Sequence, residues 1–92
     1  MAQTSAPSVD EIAVAVRRYL VDTFLGGAEA DDVTFTTPLI SGGVIDSVAR
    51  LSLINHLETE YGIEIQAHEA HASHMDTIAQ TAQLVRAKMG GS

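Results

Sequence analysis

Apolar residues recur at helical spacing in three stretches of this chain, separated by segments that break the period. In the first, a wheel turning ~100° per residue puts Val9, Ile12, Ala13, Val16, Leu20 and Thr23 on one side. Asp10, Glu11, Arg18 and Asp22 fall mostly on the other, while Val14 and Val21 interrupt the pattern. The preceding SVDE, Ser8 to Glu11, has the form of a capping box. A helix over Val9 to Phe24 follows, with its stop expected near Leu25 to Gly27, where glycine supplies a left-handed exit. The second stretch, Ser47 to Tyr61, is assigned Leu51, Leu53, Ile54, Leu57 and Tyr61 on its core side. Val48, Ser52, Asn55, His56 and Thr59 are assigned to the opposite side, and Gly62 ends the helix. In the third, Asp76 reads as the N-cap of Thr77 to Lys88. Ile78, Ala82 and Val85 form its apolar face, with Leu84 on a flank and Arg86 and Lys88 suited to the C-terminal end.

The segment from 28 to 46 contains Pro38 and the pair Gly42-Gly43, so no continuous helix crosses it. A connection this long needs anchors, and Val33, Phe35, Leu39 and Ile40 are placed to pin it across the core. Its TTPL stretch has room for one short helical turn. Isoleucines 63 and 65 flank a glutamate in a run too short for a strand without a partner, and His68 to Ser73 has room for a brief helix. The pattern predicts an all-α fold: a small four-helix bundle of three main helices and one short helix, with a long loop between helices 1 and 2. One domain is expected over 8–88, with a disordered lead at 1–7 and a flexible tail at 89–92.

Composition narrows the function. Twelve Asp and Glu stand against 5 Lys and Arg, a formal net charge of −7 over 92 residues. Such a surface repels nucleic acid, and Arg17-Arg18, read as part of a solvated helix face, make no basic patch. There is no cysteine, hence no disulfide and no thiolate metal site. Aromatic residues are sparse, so the core must come from Val, Ile, Leu and Ala. Met1 to Pro7 lacks the features of a signal peptide, and no apolar run reaches the ~20 residues of a membrane span. A cytoplasmic monomer without membrane contact is expected.

The candidate chemistry lies in GGVIDS, residues 42–47. Both Asp46 and Ser47 are good helix caps, and capping is the plain reading of Ser47. Arg50 stands where a glutamate or glutamine would complete a capping box with that serine. The functional reading is positional. A serine at a helix start lies beside unpaired N–H groups and the positive end of the dipole, a place that tolerates phosphate. Gly42 and Gly43 keep the approach open, and Asp46 is placed to help hold a metal-bearing partner during phosphoryl transfer. A hydrolase nucleophile is disfavoured: the G-x-S-x-G pattern is absent, and His56 lies more than two helical turns away.

The run GGVIDSVARLSLINHLETEYGIEI, residues 42–65, resembles the signature of acyl and peptidyl carrier proteins. DDVTFTTPLISGG upstream is similar to the family's long first loop, and the likeness covers nearly all of 8–88. The resemblance implies a protein that catalyses nothing. It implies that Ser47 carries a 4′-phosphopantetheine arm, attached from coenzyme A by a phosphopantetheinyl transferase using Mg2+. The arm's thiol would hold acyl or aminoacyl groups as thioesters. Asp46 matches the family's aspartate that assists Mg2+ and transferase binding, and Val48 matches an apolar partner contact. Further partners implied are an adenylating ligase or acyltransferase and downstream synthase enzymes. Fatty-acid carriers bear many carboxylates on the second helix; here Val48, Ser52, Asn55, His56 and Thr59 occupy that face, only Glu58 and Glu60 remain near its end, and Arg50 adds a positive charge. The wording is therefore closer to discrete carriers of polyketide or nonribosomal peptide assembly. The alternatives are a carrier-like interaction module with Ser47 unmodified and a fatty-acid synthesis carrier.

His68, His71 and His74 recur every third residue, which on a helix spreads them too widely for a tight metal site, and none is expected. Tyr61 and Phe24 are assigned to the core, Phe35 to anchoring the first loop, and Met75 to plugging the bundle.

Overall fold

A computed structural model describes residues 7–25, 33–69 and 72–90 of the chain. The expected lead at 1–6, the start of the first connection at 26–32, and His71 lie outside the described residues. The described residues are all-helical, with no strand. Helix α1 spans Val9–Thr23, α2 spans Ser47–Tyr61, and α4 spans Ile78–Gly90. Between α2 and α4 lie a 3-10 turn, Ala67–Glu69, and a single helical turn α3, Ala72–Met75. No helix among the described residues is long and apolar enough to cross a membrane.

The capping box at the start of α1 forms as its sequence predicts. Glu11 N–H donates to Ser8 Oγ at 3.2 Å, and Ser8 N–H donates to Glu11 Oε1 at 2.8 Å. Ile12, Ala13, Val16 and Leu20 then bury one stripe of the helix, packed chiefly on α4. Thr23, assigned to that stripe, is exposed. The helix ends at Thr23, and Gly26 and Gly27, where the glycine exit is expected, lie outside the described residues. Phe24 caps the helix in a right-handed conformation, and Leu25 N–H turns back to the Leu20 carbonyl at 2.9 Å, burying its side chain.

Helix α4 starts one residue later than the sequence pattern indicates and runs two residues past Lys88. Its cap is Thr77, not Asp76. Gln80 N–H donates to Thr77 Oγ1 at 3.0 Å, while Gln80 Oε1 accepts from the N–H groups of Thr77 and Asp76. This reciprocal Thr-x-x-Gln box leaves the Asp76 carboxylate available for other work. Ile78, Ala82 and Val85 are fully buried, as is Thr81, whose hydroxyl donates to the Thr77 carbonyl at 2.9 Å. Lys88 reaches Glu69 at 2.8 Å and ties the 3-10 turn to α4. That ammonium, followed by the Gln66 N–H, holds the Glu69 carboxyl below its ordinary value.

The core joins Ile12, Val16 and Leu20 of α1 to Leu53 and Leu57 of α2, Met75 of α3, and Ile78 and Val85 of α4. Leu39, from the loop, is as buried as any of them. Each such side chain gains about 1.5–3 kcal/mol by leaving water, against the entropy of ordering it. Met75 fills its expected place, whereas Phe24, Phe35 and Tyr61 are half-buried and pack on the core's edge. Burial pushes the Tyr61 hydroxyl's pKa up, and neighbouring Glu60 adds to the rise.

The described part of the first connection is held down as its apolar residues predict. Val33 and Leu39 are buried, and Phe35 and Ile40 are half-buried. TTPL forms no helical turn. Thr37 N–H instead closes a tight turn on the Thr34 carbonyl at 3.3 Å, and Pro38, with no N–H of its own, cannot carry a helical ladder on from it. Arg17 is not simply solvated: its Nε donates to the Val33 carbonyl at 3.0 Å, fastening the loop to α1. Phe35 contributes its carbonyl to Ala79 N–H at 2.9 Å, in the first turn of α4.

Candidate functional site

The segment leading to Ser47 is wound around one buried residue. The Leu39 carbonyl accepts from Val44 N–H at 2.9 Å and from Ile45 N–H at 3.1 Å, and Gly43 N–H donates to the Ile40 carbonyl at 3.2 Å. Two glycines make this winding possible for different reasons. Gly43 has φ +72, a conformation that L side chains rarely adopt. A Cβ at Gly42 would collide with the Pro38 carbonyl oxygen. Gly43→Ala should therefore cost about 1–2 kcal/mol, and Gly42→Ala more, because backbone must move. Urea unfolding midpoints check the order; a neutral Gly42→Ala would contradict the packing described.

Ile45 then buries its side chain, and Asp46 is extended, with φ −94 and ψ −175. Its Oδ1 accepts from Ala49 N–H at 2.8 Å and its carbonyl from Arg50 N–H at 2.9 Å. Asp46 is thus the N-cap, and Ser47 is the first residue inside α2. Either residue type can cap, and the geometry gives the cap to aspartate. The Ser47 side chain is exposed, and its hydroxyl has no hydrogen-bond partner among the described residues. It stands beside the first-turn N–H groups of Ser47 and Val48, at the positive end of a helix of 15 residues. That position combines an exposed hydroxyl with two backbone N–H groups that the helix does not use.

The exposed face of α2 differs from its expected membership. Val48 is 70% exposed and Leu51 59%. Leu51 precedes Leu53 by two residues, ~200° around the axis, so it cannot share Leu53's buried stripe. The buried stripe is Ala49, Leu53 and Leu57, with Ile54 and Tyr61 half-buried beside it. Asn55 and Thr59 are exposed, and Ser52 is half-buried. His56 leaves the expected face: its ring stacks on Tyr19 of α1, centroids 4.0 Å apart and planes 8° from parallel. Tyr19 meets Phe24 edge-on, and its hydroxyl donates to the Ser52 carbonyl at 3.4 Å. His56 lies only ~60° from Leu53 on the wheel, which brings it to the α1 seam.

Glu58 is also engaged. Its carboxylate accepts from Ile65 N–H at 2.9 Å, bracing the turn that Gly62 begins with φ 64. Glu60 is exposed. His68 and His74 are exposed, and no group of three or more His, Cys, Asp or Glu among the described residues could hold a metal ion.

One residue outside the sequence-predicted site holds the loop that precedes the glycine pair. Asp76 accepts from the N–H groups of Ile40 at 2.9 Å and Ser41 at 2.8 Å through Oδ1, and from Ser41 Oγ at 2.7 Å through Oδ2. Its own carbonyl accepts from Leu39 N–H. The Ser41 N–H and hydroxyl, followed by the Ile40 N–H, hold the Asp76 carboxyl below the usual carboxylate range. The Thr77-x-x-Gln80 box was the sequence signal that Asp76 is not needed as a cap.

No protein-family model matches the chain, and no curated protein or solved structure matches it.

Proposed function

We propose that the protein is a stand-alone carrier of the acyl and peptidyl carrier type, with a 4′-phosphopantetheine arm on Ser47. The observation that carries this reading is the unengaged Ser47 hydroxyl at the head of α2, with the capping duty taken by Asp46. In the proposed modification the Ser47 oxygen bonds to phosphorus and the pyrophosphate linkage of coenzyme A breaks. The adenosine bisphosphate half departs, and the hydroxyl proton passes to a base on the transferase. The carrier's own residues present the oxygen, offer donors to the new phosphodiester, and leave the face around Val48, Leu51 and Asn55 open for partner enzymes. In this reading the first connection and the segments between α2 and α4 complete a four-helix carrier bundle. The arm supplies the thiol that the cysteine-free chain lacks.

Cargo of the polyketide or nonribosomal peptide class fits a docking face poor in carboxylates. With Glu58 turned to the backbone of Ile65, this face offers little to steer a basic partner by charge. Partners of this face would read shape and polar contacts. The reading includes a cytoplasmic, monomeric carrier loaded by an adenylating ligase or acyltransferase.

Mass spectrometry after incubation with coenzyme A, Mg2+ and a broad transferase tests the proposal; one added phosphopantetheine is expected. A chain that stays unmodified with a transferase active on another carrier would leave an interaction module instead. Substitutions at Asp46 separate its two duties. Asp46→Asn keeps a capping side chain and should hold stability within about 0.5 kcal/mol, yet it should slow loading. Asp46→Ala should lose about 1 kcal/mol as well. Unchanged loading of the asparagine variant would remove the carboxylate's part in transfer.

A further inference from the structure

We infer that Asp76 is a positioning residue for the modification of Ser47, fixing from the start of α4 the loop that presents the serine. The inference rests on the carrier reading for its consequence, but its geometry stands apart from it. Asp76 gathers three consecutive residues of the loop: Leu39 through its carbonyl, Ile40 and Ser41 through its carboxylate. Leu39 is buried, and its carbonyl receives Val44 and Ile45, so the anchored residues lead through the glycine pair to Asp46 without slack. Ser47 is therefore held at both ends of its approach: the α2 cap behind it and the Asp76 clasp before the glycines. The two glycines leave the turn clear of side chains, and without the clasp their backbone freedom would let the loop drift.

A carboxylate spent on three loop donors is more than a helix start needs. The Thr77–Gln80 box already satisfies the first turn of α4. The low carboxyl pKa agrees with a group kept ionised by these donors. The clasp also couples elements distant in sequence: any movement of the start of α4 is passed to residues 39–41, and from there to the serine.

Amide hydrogen exchange and transferase kinetics test this on the full chain. Asp76→Asn, Asp76→Ala and Ser41→Ala are compared with Lys88→Ala, which breaks a tie remote from the loop. All are measured at a temperature where circular dichroism shows each variant folded. Faster exchange is expected at residues 40–45 in both Asp76 variants, a smaller rise in Ser41→Ala, and no change there in Lys88→Ala. Loading kcat/KM on Ser47 should fall about tenfold to a hundredfold in Asp76→Ala and stay at the wild-type rate in Lys88→Ala. Unchanged loop exchange in both Asp76 variants overturns the clasp, whatever the loading. Faster exchange with wild-type loading overturns the positioning role, as does an equal loading loss in Lys88→Ala. A wild-type chain that is never loaded while the exchange pattern holds sinks the carrier reading and leaves the loop clasp standing.

Discussion

Ser47→Ala abolishes addition of the phosphopantetheine mass while leaving the fold in place: this is the expected result with the largest effect. The side chain is exposed, makes no hydrogen bond among the described residues, and follows the cap instead of being it. Its removal should alter stability by no more than about 0.5 kcal/mol. Loss of modification would then reflect the missing oxygen and not an unfolded substrate. Ser41→Ala is the internal comparison, because Ser41 is also an exposed serine of the same segment. It should still gain one arm. An arm found on Ser41→Ala and equally on Ser47→Ala would move the attachment point elsewhere and end the proposal. Thermal unfolding of both variants, recorded beside the mass spectra, separates the chemistry from the folding.

The second large effect belongs to a loop residue. Leu39→Ala should destabilise the protein by about 2–5 kcal/mol, as a core leucine does. Leu39 is fully buried among residues of the helices, and both its peptide groups are committed: the N–H to Asp76, the carbonyl to Val44 and Ile45. The surroundings cannot close over the lost methyls without moving that ladder. Small domains hold only about 5–15 kcal/mol in total, and a chain of 92 residues has little surplus. A fall in melting temperature of at least about 8 °C is expected, comparable with Leu53→Ala on α2. Ile40→Ala, at a half-buried neighbour, should cost less than half as much. A Leu39→Ala protein as stable as wild type would mean that the loop is not pinned through the core.

Local rules made much of this molecule readable in its sequence. Ser8 and Glu11 form their reciprocal cap because both partners lie within one turn, and Gly62 ends α2 because only its own backbone need change hand. The buried stripe of α4 follows directly from Ile78, Ala82 and Val85. Contacts made across long stretches of chain were not readable. Arg17 to the Val33 carbonyl, Tyr19 on His56, and Asp76 to Ile40 and Ser41 join residues far apart in sequence, and no periodicity reports them. The site shows the same division. GGVIDS puts a capping residue at the start of α2, but Asp46 and Ser47 are both capping residues, and only the backbone angles decide which one caps. Leu51 is grouped with the core side of the wheel, although its angle from Leu53, ~200°, points it to water.

The stacking of His56 on Tyr19 removes one residue from the polar side of α2 and narrows what that side presents. Val48, Leu51, Asn55 and Thr59 are exposed along one strip of α2, about 16 Å long, and His56 at its edge is turned to Tyr19 of α1. If partners dock there, as proposed, a strip one helix wide offers the small footprint that transient complexes use. On the carrier reading, fast dissociation would let each enzyme be gone before the next arrives.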